Sequence, residues 1–339
     1  CLLERAFQYR LNTYPDFAPT QNHLWWTTTP LIPRLNMTSS FAKSSQTTGH
    51  LFMVEPGGFY FNVSTAPSNP YQINDDEDRA VILERAIMEF RSFVNLLIEN
   101  GIHVTIAKGI EECPDHIFPN WFSTHEGRKM MVYPMLTENR AAEKTETMLR
   151  TLSRHYDIIH DWSDYEQEQK CLEGLSSLIL DRPNRKAYGT FSARTDRELA
   201  KKWCETMGFE PHLFETASHT GDPIYHSDVM MHIGTEFVGI CAESILPQYR
   251  GEVMDSLSAH RDIIELDMQQ VRAFAGNALE VQGDGGKPMV VMSHSGFESL
   301  SARQKDHYLK YIDRFITPAL PTVQHYGGGA ARCMLQELF

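Results

Sequence analysis

The six cysteines of this 339-residue chain, Cys1, Cys113, Cys171, Cys204, Cys241 and Cys333, form no Cys-x-x-Cys pair and no compact framework. That excludes a disulfide scaffold or a thiolate zinc site read from spacing, and it suits free thiols in a reducing compartment. There is no Gly-x-Gly-x-x-Gly after the first strand and no phosphate-loop signature, so the usual nucleotide-binding patterns are missing. The histidines from His212 to His232 are dense, but they lack metal-ligand spacing, and no metal or other cofactor is expected. No run of about 18 apolar residues occurs, so no membrane-spanning helix is expected. Positive charge is also scarce. A formal net charge of −13 makes nucleic acid and anionic membranes poor partners, and it favours a cationic small molecule.

Acids are scarce in the first fifty residues, which hold only Glu4 and Asp16 against Arg5, Arg10, Arg34 and Lys43. Residues 1–50 therefore read as a loosely docked or disordered extension with a transit-like composition. The expected location is cytoplasmic, or mitochondrial if the extension is a transit peptide. Residues 51–339 read as one catalytic domain.

What is present alternates. Leu51–Glu55 and His103–Ala107 read as strands around a helix at Arg79–Asn100, whose apolar residues recur at helical spacing and which stops at Gly101. Lys129–Met135, a charged helix over Glu138–Tyr156 and a strand at Asp157–His160 follow. Ser177–Asp181 and Ala187–Thr190 pair around the turn at Pro183 and Asn184, and a helix over Thr195–Gly208 ends at its glycine. Strands near Pro211–Glu215, Val229–Ile233 and Glu236–Cys241 come next. A further round runs from Ile263 to Ser293, with a last helix over Ser299–Ile312. Helices recur every 50–60 residues or so, which divides the domain into about five units. An ordinary doubly wound α/β domain would also alternate in this way.

Several short strings could carry chemistry. Near the C-terminus, Gly327-Gly328-Gly329 precedes Ala330-Ala331-Arg332-Cys333. Glycines such as Gly328 let a backbone approach a ligand closely, and Arg332 would favour a thiolate at Cys333. His226 and Asp228 lie two apart before an apolar stretch; in an extended segment they would share a face and suit proton transfer and cation binding. Glu173 precedes Gly174 at the mouth of a strand, where a carboxylate can take two parallel N–H bonds from a guanidinium; it also reads as a helix-end Glu with a glycine cap. Phe118-Pro119-Asn120-Trp121 is a compact loop with an aromatic and an amide, and Gly276-Asn277 reads as a turn into a strand.

Taken in order, the strings FPNW (118–121), EGLSSLILDRPNRKAYGTFSARTD (173–196), YHSDVMM (225–231), GNALEV (276–281) and GGGAARCM (327–334) resemble the guanidino-group-modifying enzymes of the pentein superfamily. The nearest branch holds amidinotransferase-related, dimethylarginine-hydrolase-like and citrulline-forming or citrulline-using members. The resemblance covers roughly Phe52 onward. It implies a five-bladed α/β propeller of pseudo-fivefold ββαβ repeats with the site at its centre. It also implies Cys333 as nucleophile, His226 as general acid/base, and Glu173 and Asp228 as holders of the guanidinium. The substrate would further meet Phe118, Asn120 and Gly328, with Arg194 toward a substrate carboxylate. Arginine-deiminase-like members carry Asp where this chain has Asn120, which turns attention to a neutral ureido or alkylated guanidino substrate.

The implied reaction is attack of the Cys333 thiolate on the guanidino carbon, departure of an amine protonated by His226, and hydrolysis of the covalent thiouronium. Transfer of the amidino group to a second amine uses the same residues. Two other readings stay open: a thiol amidase or peptidase built on Cys333, His226 and Asp228, and a propeller that only binds a ligand or partner. The expected partner is a small guanidino or ureido molecule, and self-association into a homo-oligomer is compatible with it.

Overall fold

The computed structural model describes residues 45–339 and the strand β1 (Trp25–Thr27). Of the extension expected over residues 1–50, residues 1–24 and 28–44 lie outside the described residues. Five small sheets repeat one plan. The first holds β4 (Phe122–His125), β5 (Lys129–Val132) and β6 (Asp157–Asp161); the second β7 (Leu178–Asp181), β8 (Lys186–Thr190) and β9 (Glu210–Phe214). The third holds β10 (Met231–Ile233), β11 (Phe237–Ile240) and β12 (Asp262–Glu265); the fourth β13 (Ala278–Gln282), β14 (Pro288–Met292) and β15 (Arg314–Ile316). In each, the first two strands form an antiparallel hairpin and the third returns parallel after a helical crossover.

The fifth sheet joins distant parts of the chain. Here β16 (Gln336–Glu337) pairs antiparallel with β2 (His50–Glu55), which pairs parallel with β3 (His103–Lys108); β1 adds antiparallel to the outer edge of β3. The ring closes at the axis, where β10 abuts β7 and β13, and β16 abuts β4. This is the five-bladed ββαβ propeller. Its core lies between the sheets and their crossover helices. In the fifth blade, for example, Phe90, Phe93 and Leu97 of helix Arg79–Glu99 pack in one buried cluster with Leu51 and Met53 of β2.

Two predicted helices differ. Glu138–Tyr156 splits into Glu138–Ala141 and Glu146–Leu152 because Thr145 turns extended and its hydroxyl caps Met148 N. Ser299–Ile312 shortens to Ala302–Tyr308, opened by a Ser301–Gln304 capping box, and a separate helix, His294–Ser299, precedes it. The helix Pro247–Ser258 went unread; only Val253 and Leu257 of it are buried, too few to mark a period.

Candidate active site

The repeat itself builds the site. Each inner strand starts at the same end of the axis, and the residues just before these strands converge there: Asn120 before β4, Glu173 before β7, His226 and Asp228 before β10, Asn277 before β13 and Cys333 before β16. The turns preceding the strands are held open by special backbone. Gly174 has φ +56°, and a Cβ there would lie 2.5 Å from Asn120 O. Gly328 has φ +59° against Asn69 and Gln72. Both positions favour glycine.

Cys333 sits in a short 3₁₀ turn over Arg332–Met334 and is 3% exposed. Its thiol faces Asp228 Oδ2 at 3.6 Å and accepts from Asn277 Nδ2 at 3.1 Å. Burial, then the Asp228 carboxylate, push this thiol well above its ordinary value; Ala330 and Asn277, by hydrogen bonds, and the charge of Arg332 oppose that rise. The resting residue is therefore a thiol. Asp228 is fully buried, its carboxyl raised by burial against the charges of His226 and Arg332, and its Oδ1 has no protein partner.

Opposite, His226 Nε2 lies 2.9 Å from Glu173 Oε2. Glu173 is wholly buried. Burial works to raise its carboxyl, but Arg194, the His226 hydrogen bond and Arg140 outweigh it and hold the group well below the usual carboxylate range. Arg194 Nη1 and Arg140 Nη1 stand 3.5 and 3.8 Å from Glu173 Oε2, and Leu136 N donates to Oε1. His226 and Asp228 therefore address different partners. The extended reading fails after His226, because Ser227–Val229 folds into a 3₁₀ turn.

Cys333 and His226 meet at a small recess lined also by Asn69, Asp115, Phe118, Asn120, Arg140, Arg194, Tyr225, Gly327 and Gly329, with Asp228 and Glu173 buried behind them. Gly328 forms its rim through its carbonyl, which accepts from Tyr225 OH and Asn69. Phe118 packs on the glycine loop, while its carbonyl accepts from Arg140 Nη2. Arg194 donates to Ser68 Oγ and Thr65 O. Every sequence-predicted site residue thus falls at one place. Sequence reasoning missed Asp115, Arg140 and Tyr225. Arg140 lay in a stretch read only as a charged helix, yet it is 1% exposed. Asp115 accepts from Asn62 and Thr65 through Oδ2 and leaves a buried Oδ1 without a partner. Among the described residues no cluster of His, Cys, Asp or Glu suits a metal ion.

A sequence profile of the family described as N,N dimethylarginine dimethylhydrolase, eukaryotic, matches residues 55–339. Comparison with curated protein sequences gives no match. Among solved structures, the N-terminal domain of ArgZ, an arginine dihydrolase of the ornithine–ammonia cycle in cyanobacteria, is similar with a TM-score of 0.67 and 15% identity, over 85% of this chain and 97% of that domain. AgrE in complex with L-arginine aligns with a TM-score of 0.68 at 15% identity over 86% of this chain, which spans 40% of AgrE. A dimethylarginine dimethylaminohydrolase adduct with S-methyl-L-thiocitrulline gives 0.57 at 16% identity, over 85% of this chain and 99% of that one. At such identities the structures speak for the fold.

Proposed function

The chain belongs to the eukaryotic N,N-dimethylarginine dimethylhydrolase family and is a guanidino-modifying hydrolase, and from that premise we propose that Cys333 attacks the guanidino or ureido carbon of an arginine-class amino acid. One observation carries the reading: Cys333 and His226 line one small recess, each backed by a buried carboxylate, Asp228 at 3.6 Å from the thiol and Glu173 at 2.9 Å from the imidazole. Asp228 takes the thiol proton as substrate enters. A cationic substrate beside the sulfur assists, since it opposes the burial and Asp228 charge that keep the thiol protonated. The S–C bond forms, the C–N bond breaks, and His226 protonates the departing amine. His226 then takes a proton from water, whose oxygen bonds the carbon; as the S–C bond breaks, Asp228 returns its proton to the sulfur and the hydroxyl proton leaves with the amine product, which restores Cys333. Glu173 orients the imidazole and stabilises its charged form. Arg140 and Arg194 suit a substrate carboxylate, and the unpartnered oxygen of Asp115 suits its α-ammonium.

The family name points to N,N-dimethylarginine. A second substrate, a neutral ureido compound such as citrulline, is favoured by Asn120 in the recess and by the two guanidinium groups that already face Glu173. The test is amine, ammonia and citrulline release from arginine, methylated arginines and citrulline, with Cys333→Ala as control. Release that needs Cys333 supports the proposal. Release unaffected by the substitution, or none from any of these, overturns it.

A further inference from the structure

The fourth blade contributes to the same end of the axis through Asn277, which occupies the place in its repeat that Asn120, Glu173, Asp228 and Cys333 occupy in theirs. Asn277 is 0% exposed, and its whole amide is used. Oδ1 accepts from Arg332 N at 3.0 Å and from Cys333 N at 3.4 Å. Nδ2 donates to Asp228 O at 3.1 Å and to Cys333 Sγ at 3.1 Å. One side chain thus grips the nucleophile by its backbone and its sulfur while tying that turn to the one carrying Asp228.

We propose that Asn277 positions Cys333 and donates the side-chain N–H bond that stabilises its thiolate, a role that rests on Cys333 being the nucleophile. The neighbours make this donor matter. Cys333 is 3% exposed, so a thiolate formed there gains little from water, and Asp228, once it holds the thiol proton, stands 3.6 Å from the sulfur against 3.1 Å for the Asn277 amide. Arg332 spends its guanidinium on Leu335 O and Leu175 O. A bond from N–H to an anionic acceptor is about twice as strong as one between neutral groups. An aspartate at 277 would keep both backbone acceptor bonds and replace the donor with a second negative charge.

The experiment is the rate of iodoacetamide alkylation at Cys333, read by mass spectrometry across pH, for the full chain, Asn277→Asp and Asn277→Ala. No substrate is needed, so the outcome is separate from the choice of substrate. We expect both variants to move the profile up by about one pH unit or more, and to slow alkylation at a fixed lower pH about tenfold. On the best substrate kcat should fall with KM little changed. Profiles that coincide with the unaltered chain, with only thermal stability reduced, would show a structural amide and overturn the proposal. Should Asn277→Asp not fold, Asn277→Ala alone decides on the same readout, and Asn277→Ser, which keeps one donor and one acceptor, should recover part of the shift. Turnover that persists in Cys333→Ala would remove the nucleophile reading itself, and the proposal with it.

Discussion

At the scale of single residues, the proposed mechanism gives Glu173 the task of supporting His226. Its carboxylate is ionised in the folded protein because Arg194, His226 and Arg140 outweigh the cost of burial. Glu173→Gln keeps the shape and removes the charge that supports an imidazolium. We expect kcat to fall on the order of 10²-fold or more, with substrate binding retained. Steady-state kinetics check this; near-normal kcat would mean that Glu173 serves the fold alone. Cys333, His226, Glu173 and Asp228 were legible because each stands in a short distinctive string. Asp115 and Arg140 were not. Asp115 takes its meaning from Asn62 and Thr65, and Arg140, besides its local pair with Glu143, from Phe118 O and Glu173; no local spacing records those distant pairings.

At the scale of elements, the turns before the inner strands carry the site, and glycine fixes one of them. Gly174→Ala would force a Cβ onto Asn120 O at a positive φ. The expected loss is on the order of 1–3 kcal/mol, together with lower activity through a displaced Glu173; thermal unfolding and kinetics read the two effects. The strand β10 adds a pH dependence. His232 donates through Nδ1 to Gly276 O and accepts from Tyr308 OH through Nε2, an arrangement that needs the neutral ring. Burial lowers its pKa to about 4. The unfolded chain protonates it near pH 6.5, so its contribution is complete above that pH and is lost as pH falls from about 6.5 to 4. Urea midpoints at pH 7.5 and 5 should show the decline, and His232→Gln should flatten it. An equal slope in the variant would contradict the assignment. Among elements, hairpins with clear turns, such as β7–β8 around Pro183 and Asn184, were legible. The helix break at Thr145 was not, because the cap interrupts a sequence whose composition still reads as helical.

At the scale of the whole molecule, five repeats place one chemistry-bearing turn each at one end of an axis. The period of roughly five units was legible from helix spacing. What periodicity could not tell is that the fifth blade is assembled from distant segments, with β16 paired to β2. Deleting Gln336–Phe339 should open the ring beside Cys333, lower the thermal midpoint and abolish activity; a deleted protein with unchanged midpoint would contradict the closure. The central claim is that Cys333 becomes covalently bound to substrate carbon. The most direct measurement is rapid acid quenching during turnover, followed by mass spectrometry of the Cys333 peptide. The account predicts a substrate-derived mass on Cys333 that forms and decays at rates compatible with kcat, and no turnover with Cys333→Ala. Turnover without that adduct, or turnover persisting in Cys333→Ala, would contradict it.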